Sequence, residues 1–210
     1  MKKHDLVTIA LHTGLTKYHP LTENFLKSFL VCNEYTNIEL ILMETGGNED
    51  LREWFTNMDF DSEFVNFDGT KTSIKKKPDV NIQKRTIFLD FKEDDIWQYC
   101  YTKAMETAVK EAKGKYFSFL VEDYQFNIAG DTISDHIKVL KELGETKTNL
   151  CFFTQHLYKY NQLTNQPPKG YECQSVKSIS YGVFKTAKAK FDPFTFLNKS
   201  IYDELGEFKK

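Results

Sequence analysis

The sequence predicts an α/β protein with a mixed, mostly parallel sheet that is flanked by helices on both faces. Segments with strand-like and helix-like patterns alternate along the chain, which is typical of βαβ units. The first strands are apolar throughout rather than at every second residue, as expected for strands buried on both faces. At 210 residues the chain has about the length of one domain.

The first half of the chain supplies two apolar strands and two amphipathic helices. Pro20 stands near the start of the first helix, where its missing N–H costs least. The predicted elements are a strand at Leu6–Leu11, a helix over 21–33, a strand at Ile38–Met43 and a short helix near Asp50–Phe55.

The clearest helix is predicted over 94–113, where Trp97, Tyr101, Ala104 and Ala108 recur every three or four residues and Gly114 suits the C-cap. Further strands are predicted at Glu63–Phe67, Arg85–Phe91, Tyr116–Val121, Leu150–His156 and Ser178–Lys185, and further helices from Asp131 to Leu143 and from about Phe194. The segment Thr70–Gln83 is expected to be an exposed, mobile loop.

Composition narrows the function classes. The net charge is −2, with 28% charged and 40% hydrophobic residues, which argues against a general nucleic-acid binder and for a globular domain. The sequence contains no apolar run long enough to span a membrane and no signal-peptide pattern. The four cysteines form no C-x-x-C pair, so we expect reduced thiols and a cytoplasmic protein.

Polar residues follow the predicted strands, at the sheet edge where α/β proteins bind ligands. Glu122 and Asp123 follow a buried strand, so they either hold a divalent cation that bridges a diphosphate or cap a turn and pair with a lysine. Glu44 either accepts hydrogen bonds from a ribose or base, with Gly46 and Gly47 allowing close approach, or lies in a solvent-facing turn.

Several well-known fingerprints are missing. One glycine follows the first strand, in the segment 12–16 (HTGLT), so the glycine-rich loops of dinucleotide dehydrogenases, methyltransferases and P-loop NTPases are absent. Neither G-x-S-x-G nor H-E-x-x-H occurs. His12, His19 and His156 fit structural or surface roles better than ligand roles, and Lys75–Lys77 fits a solvated charge run better than a diphosphate contact.

Three segments together resemble the N-terminal portion of family 2 glycosyltransferases, which have a GT-A fold. They are Leu6–Thr13, Glu23–Glu49 and Ala108–Tyr124. The second ends its strand in Glu44-Thr-Gly-Gly47, where the family commonly has Asp-Asp-Gly-Ser. The third leads into Val121-Glu-Asp123, a degenerate form of the family's metal-binding Asp-x-Asp. The likeness covers roughly residues 5–130.

The resemblance implies a metal-assisted, inverting enzyme that moves one sugar from a nucleoside-diphosphate sugar to a hydroxyl acceptor, as in polysaccharide biosynthesis. Residues 1–127 would bind the donor and 128–210 the acceptor, within one GT-A-like domain. The implied donor contacts are Thr13, Glu44, Gly46 and Glu122, with Mn²⁺ or Mg²⁺ on Asp123 and a general base among Asp192, Asp203 and Glu204. The Gln-x-x-Arg-Trp motif of processive synthases is absent, so the enzyme is expected to be non-processive.

Two other functions stay open. Val121 replaces the first aspartate of the family motif, which favours a catalytically inactive GT-A-like protein that binds a nucleotide or a partner. A membrane-associated accessory protein of envelope polysaccharide assembly would keep the fold without the donor site. Asp123→Asn separates the enzyme, which would lose metal-dependent nucleotide binding, from a scaffold, which would not change.

Overall fold

A computed structural model describes residues 4–14, 19–92, 97–123, 125–126, 129–143, 151–152, 171–175, 182–186 and 195–200. Strands and helices alternate through most of the chain. In order they are β1 (Val7–Thr13), α1 (His19–Cys32), β2 (Asn37–Glu44), α2 (Glu49–Asn57), β3 (Phe64–Val65), β4 (Lys71–Thr72), β5 (Asn81–Phe88), α3 (Trp97–Glu111), β6 (Tyr116–Val121), α4 (Thr132–Leu143), β7 (Cys151–Phe152), β8 (Tyr171–Ser175), β9 (Gly182–Thr186) and β10 (Thr195–Asn198).

The main sheet has six strands in the order β5-β2-β1-β6-β10-β7. Strands β5, β2, β1 and β6 are parallel, whereas β10 runs antiparallel to both β6 and β7. Two antiparallel pairs, β3–β4 and β8–β9, form separate small sheets. This architecture confirms the predicted mixed, mostly parallel sheet.

Helices cover both faces of the sheet. One face packs against α1, α2 and α4 through side chains such as Ile9, Leu40 and Leu120. The opposite face packs against α3, whose Ala104 and Ala108 lie against Ala10, Ile41 and Phe119. Every residue of β1 is buried, because β1 has a strand on each side and helices above and below.

A buried carboxylate ties α3 to the amino-terminal half of the sheet. Glu39 is 2% exposed, and its Oε2 accepts hydrogen bonds from Thr8 Oγ1 (2.6 Å) and from the Lys113 backbone N–H (2.8 Å). Its Oε1 accepts one from Arg85 Nε at 3.0 Å. Thr8 Oγ1 in turn accepts the Gly114 N–H at 2.8 Å. These bonds satisfy a charge that would otherwise be costly to bury.

Helix α2 is capped at both ends by side chains. The Asn48 side chain accepts the Leu51 N–H at 3.1 Å. At the other end, Lys84 on β5 donates hydrogen bonds to the carbonyls of Phe55 (2.7 Å), Thr56 (2.6 Å) and Met58. A cation at a helix C-terminus also favours the helix dipole.

Two segments differ from their predicted structure. Residues 70–83, predicted as a loop, include β4 and the first residues of β5. The strand predicted at Arg85–Phe91 therefore begins earlier, at Asn81. It includes the charged Lys84 and Arg85, because their partners are helix carbonyls and Glu39 from distant parts of the chain. The segment from Phe194, predicted as a helix, contains β10, which pairs with β6 and β7. Such non-local pairing outweighs local propensity.

Within the described part of the chain, no helix is long and apolar enough to cross a membrane. Cys32 and Cys100 are free thiols, and Cys100 is buried.

We expect Gly114→Ala to lower the free energy of unfolding by about 1–3 kcal/mol, as overpacking does. A Cβ at this position would lie 2.5 Å from the Thr8 backbone N and 2.9 Å from the Leu6 carbonyl O, neither of which can move alone. The neighbouring exposed residue gives a control, since Lys113→Ala leaves its backbone bond to Glu39 intact. Urea unfolding measures both variants, and equal stabilities would contradict this packing.

Candidate functional site

The candidate site lies at the carboxyl edge of the parallel sheet, where three chain segments meet. Thr13 on β1 is the register partner of Glu44 on β2, and His12 is the partner of Val121 on β6. The Glu122 N–H donates to the His12 carbonyl at 3.2 Å, which extends the pairing by one residue. The sequence-predicted donor contacts from β1, β2 and β6 are therefore brought to one edge.

Glu122 is a buried carboxyl group, 8% exposed, that joins three elements. It accepts hydrogen bonds from the Gly14 N–H (3.1 Å), which follows β1, and from Thr22 Oγ1 (3.3 Å) on α1. Burial raises the pKa of Glu122 to about 7; these two bonds lower it, and the charges of Asp123 and Glu44 raise it. Glu122 thus fixes the start of the loop after β1 relative to β6.

Glu44 is also buried, at 1% exposure, and both of its oxygens have protein partners. Oε2 forms an ion pair with Arg52 Nη1 at 2.5 Å, and Oε1 accepts the Gly46 N–H at 2.5 Å. The Arg52 guanidinium lies over the ring of Phe88, 4.2 Å from its centroid. The turn continues through Gly47, whose φ of +68° favours glycine.

Between Glu44 and Glu122 lies a buried polar group formed by the side chains of His12 and Thr13, at the end of β1, and Thr45, just after β2. His12 Nε2 lies 3.2 Å from Thr45 Oγ1, and Thr45 Oγ1 donates to the Thr13 carbonyl at 2.8 Å. The Thr13 hydroxyl is itself buried and donates to the Met43 carbonyl at 3.4 Å. Burial lowers the pKa of His12 to about 4, so this imidazole is neutral at pH 7.

Asp123 is exposed and comes directly after Glu122. Among the residues that the structure describes, no group of three or more His, Cys, Asp or Glu side chains is arranged to hold a metal ion. A single carboxylate nevertheless fits Mg²⁺ or a similar cation, which proteins often bind through one or two carboxylates together with substrate phosphates.

Other residues considered in the sequence lie elsewhere. Asp192, Asp203 and Glu204, the three candidates for the general base, fall outside the described residues, as does His156. The basic run at 75–77 is remote from the carboxyl edge. Lys76 pairs with Asp61 at 2.5 Å, and Lys77 pairs with Glu34 just beyond the end of α1.

The structure adds site residues that the sequence did not single out, namely Thr22, Thr45, Arg52 and Phe88. Arg52 lies eight residues after Glu44, and the two side chains meet only because a turn folds α2 back beside β2. Phe88 is the register partner of Glu44, which becomes visible only with the β2–β5 pairing.

Two surface clefts flank Trp54 on α2, and neither is lined by the residues that end β1, β2 or β6. The larger, about 550 Å³, is lined by residues of α2 and of the β3–β4 hairpin, and the smaller is about 370 Å³. Trp54 Nε1 donates to the Val65 carbonyl at 2.9 Å, and its ring meets those of Phe64 and Phe67 edge to face. Trp54 thus joins the hairpin to α2.

Comparisons with known proteins show the fold. The chain is similar to the mannosyltransferase PcManGT from Pyrobaculum calidifontis, solved in complex with GDP-Man and Mn²⁺, with a TM-score of 0.54 and 15% identity over 99% of this chain and 48% of that one. It is also similar to S. aureus TarS 1-349, with a TM-score of 0.49 and 13% identity over 96% of this chain and 49% of that one. The chain spans about half the length of both structures.

No protein-family model and no curated protein sequence matches the chain. The likeness to the solved structure of PcManGT establishes a GT-A-like fold. Its mostly parallel sheet between helices is the one that the sequence predicted.

We expect acid to destabilise the protein partly through His12. Its folded pKa of about 4 lies below the unfolded value of 6.5, so the unfolded state binds more protons between these values and stability falls as the pH drops. His136, whose pKa burial also lowers to about 4, acts in the same direction, and Glu122 acts in the opposite one.

The variant His12→Gln isolates the contribution of His12, since glutamine keeps a polar group towards Thr45 without titrating. Between pH 7 and pH 5 the stability difference between wild type and variant should shrink by about 1–2 kcal/mol, at about 1.4 kcal/mol per pKa unit. Urea unfolding at both pH values measures it. A difference that does not change with pH would contradict a buried neutral imidazole.

Proposed function

We propose that the chain is a non-processive glycosyltransferase, similar to those of family 2, that transfers a sugar from a nucleoside-diphosphate sugar to a hydroxyl acceptor with inversion. The observation that carries the proposal is the convergence of Thr13, Gly46, Glu122 and Asp123 at the carboxyl edge of a parallel sheet, where such folds bind nucleotides. PcManGT, which shares the fold, was solved with a nucleotide sugar and Mn²⁺.

The chain's own groups have distinct roles in this proposal. Glu122 fixes the backbone at Gly14, and Glu44 fixes it at Gly46, because each carboxyl group accepts the N–H of that glycine. The backbone beside these two bonds would then meet the donor in a set position. Asp123 would hold Mg²⁺ or Mn²⁺ against the donor diphosphate. When bound, the cation neutralises the negative charge that develops on the departing diphosphate.

The acceptor hydroxyl must lose a proton when it attacks the anomeric carbon, so the reaction needs a general base. We propose that one of Asp192, Asp203 or Glu204 supplies it, from the acceptor-side half at 128–210. The donor-side half is then 1–127, within a single GT-A-like domain.

The binding-only alternative has one observation in its favour. Both buried carboxylates at the edge, Glu44 and Glu122, already accept hydrogen bonds from protein groups. Of the acidic groups at the ends of β2 and β6, Asp123 is then the one left for a cation, among the described residues. A protein that binds a nucleotide without turnover would show the same ligand-induced stabilisation but no transfer, so the two functions separate in an assay of sugar release.

Nucleotide binding is tested by thermal unfolding with UDP, GDP, dTDP and CMP, each with and without Mn²⁺. A ligand at 100 times its dissociation constant adds about 2.7 kcal/mol, which raises the midpoint by roughly 5–10 °C for a chain of this size. We expect a shift that depends on Mn²⁺ for at least one nucleoside diphosphate and that is lost in Asp123→Asn.

Asp79→Asn serves as the matched control, because Asp79 is exposed and precedes β5 at the opposite edge of the sheet. It should keep the full shift. The proposal fails if no nucleotide shifts the midpoint, or if Asp123→Asn and Asp79→Asn behave alike.

A further inference from the structure

The group formed by Glu44, Arg52 and Phe88 presents an unusual surface at the β2–β5 side of the site. The Glu44 carboxylate is 1% exposed, whereas Arg52 is 24% and Phe88 43% exposed. The guanidinium plane lies over the phenyl ring. A ligand at this position therefore meets N–H donors and an aromatic ring, while the carboxylate stays behind them.

We propose that Arg52, held by Glu44 and stacked on Phe88, recognises the base of the donor nucleotide, and that this base is guanine. The inference rests on the proposed function and names its nucleotide. Arginine carries five N–H donors in a planar fork, and the ion pair with Glu44 uses one nitrogen, Nη1. Within the described residues the other donors have no protein acceptor, so they are available to a ligand that offers acceptors.

A second arginine, Arg85 on β5, allows a comparison with Arg52 on α2. Arg85 likewise pairs with a buried glutamate, Glu39, at 3.0 Å. Its remaining donors, however, go to the protein: Nη1 to the Glu111 carboxylate (3.3 Å) and Nη2 to the Glu111 carbonyl. Arg85 thus completes a structural network, whereas the contacts of Arg52 within the described residues are the Nη1 pair with Glu44 and the ring of Phe88.

The choice of guanine follows from hydrogen-bonding chemistry. An arginine fork pairs bidentately with the O6 and N7 acceptors of guanine, whereas the corresponding edges of uracil and adenine present one acceptor beside a different group. Flat bases also stack on arginine and aromatic planes. Glu44, whose oxygens accept bonds from Arg52 and Gly46, positions the arginine instead of contacting the base.

The distance between the Arg52 group and Asp123 suits a nucleoside diphosphate whose base and diphosphate bind at different places along the edge. Glu44 ends β2, and Asp123 follows β6, with β1 between them. Adjacent strands lie about 4.8 Å apart, so the two positions are separated by roughly 10 Å along the edge. A nucleoside diphosphate that spans this distance would have its base at Arg52 and its diphosphate at Asp123.

The test is calorimetric titration of the full chain with GDP, UDP, CDP and ADP in the presence of Mn²⁺. We expect wild type to bind GDP at least about tenfold more tightly than the others, the size of one bidentate base contact. Arg52→Gln and Phe88→Ala should each reduce this preference severalfold. Arg85→Gln, which disrupts the comparable buried pair, should keep it.

One further variant keeps the test decisive if Arg52→Gln does not fold. Arg52→Gln could unfold because Glu44 loses its partner, and in that case the double variant Glu44→Gln/Arg52→Gln removes both charges. Phe88→Ala keeps the ion pair. Loss of the GDP preference in the double variant and in Phe88→Ala supports the inference. Tighter binding of another diphosphate, or a GDP preference that survives both substitutions, overturns the guanine assignment but not the proposed function. Absence of binding by every diphosphate overturns the proposed function as well.

Discussion

The whole arrangement depends on β1 pairing in parallel with both β2 and β6. Parallel pairing places the carboxyl ends of all three strands at one edge, so residues about 30 to 110 positions apart in sequence become neighbours. The cost is that β1 must be buried on every side, which its residues Val7, Ile9 and Leu11 allow. Its polar residues Thr8, His12 and Thr13 are then forced to find partners, and each does so in a contact that joins two elements.

Three buried glutamates show how the sheet uses charge. Glu39 and Glu44 each pair with an arginine, and Glu122 accepts bonds from a backbone N–H and a threonine. A buried carboxylate without such partners would be strongly destabilising, so each of the three fixes the elements that supply its donors. Glu39 joins β2 to α3, whereas Glu44 and Glu122 fix the backbone on either side of the candidate donor site. Glu44 and Glu122, which the sequence placed at strand ends, thus hold together the elements that form the candidate site.

The sequence sufficed for the α/β class, the four strands of the parallel sheet and the edge where the polar residues meet. These features follow from local patterns: buried apolar runs, helical spacing and a glycine or acid after each strand. It could not reveal β10 or the start of β5, because their pairing partners are distant in the chain. It also could not show that Glu44 and Glu122 have protein partners, since Arg52 and Thr22 are brought to them only by folding.

The proposed binding of a nucleotide and a cation at the carboxyl edge of β2, β1 and β6 can be tested by NMR of the ¹⁵N-labelled chain with a nucleoside diphosphate and Mn²⁺. Paramagnetic Mn²⁺ broadens nearby amide signals. We expect the signals of Gly14, Gly46 and Asp123 to broaden first, while those of Asp79 and Gly114 at the opposite edge stay sharp. Selective broadening around the Trp54 clefts, or equal broadening at both edges, would contradict it.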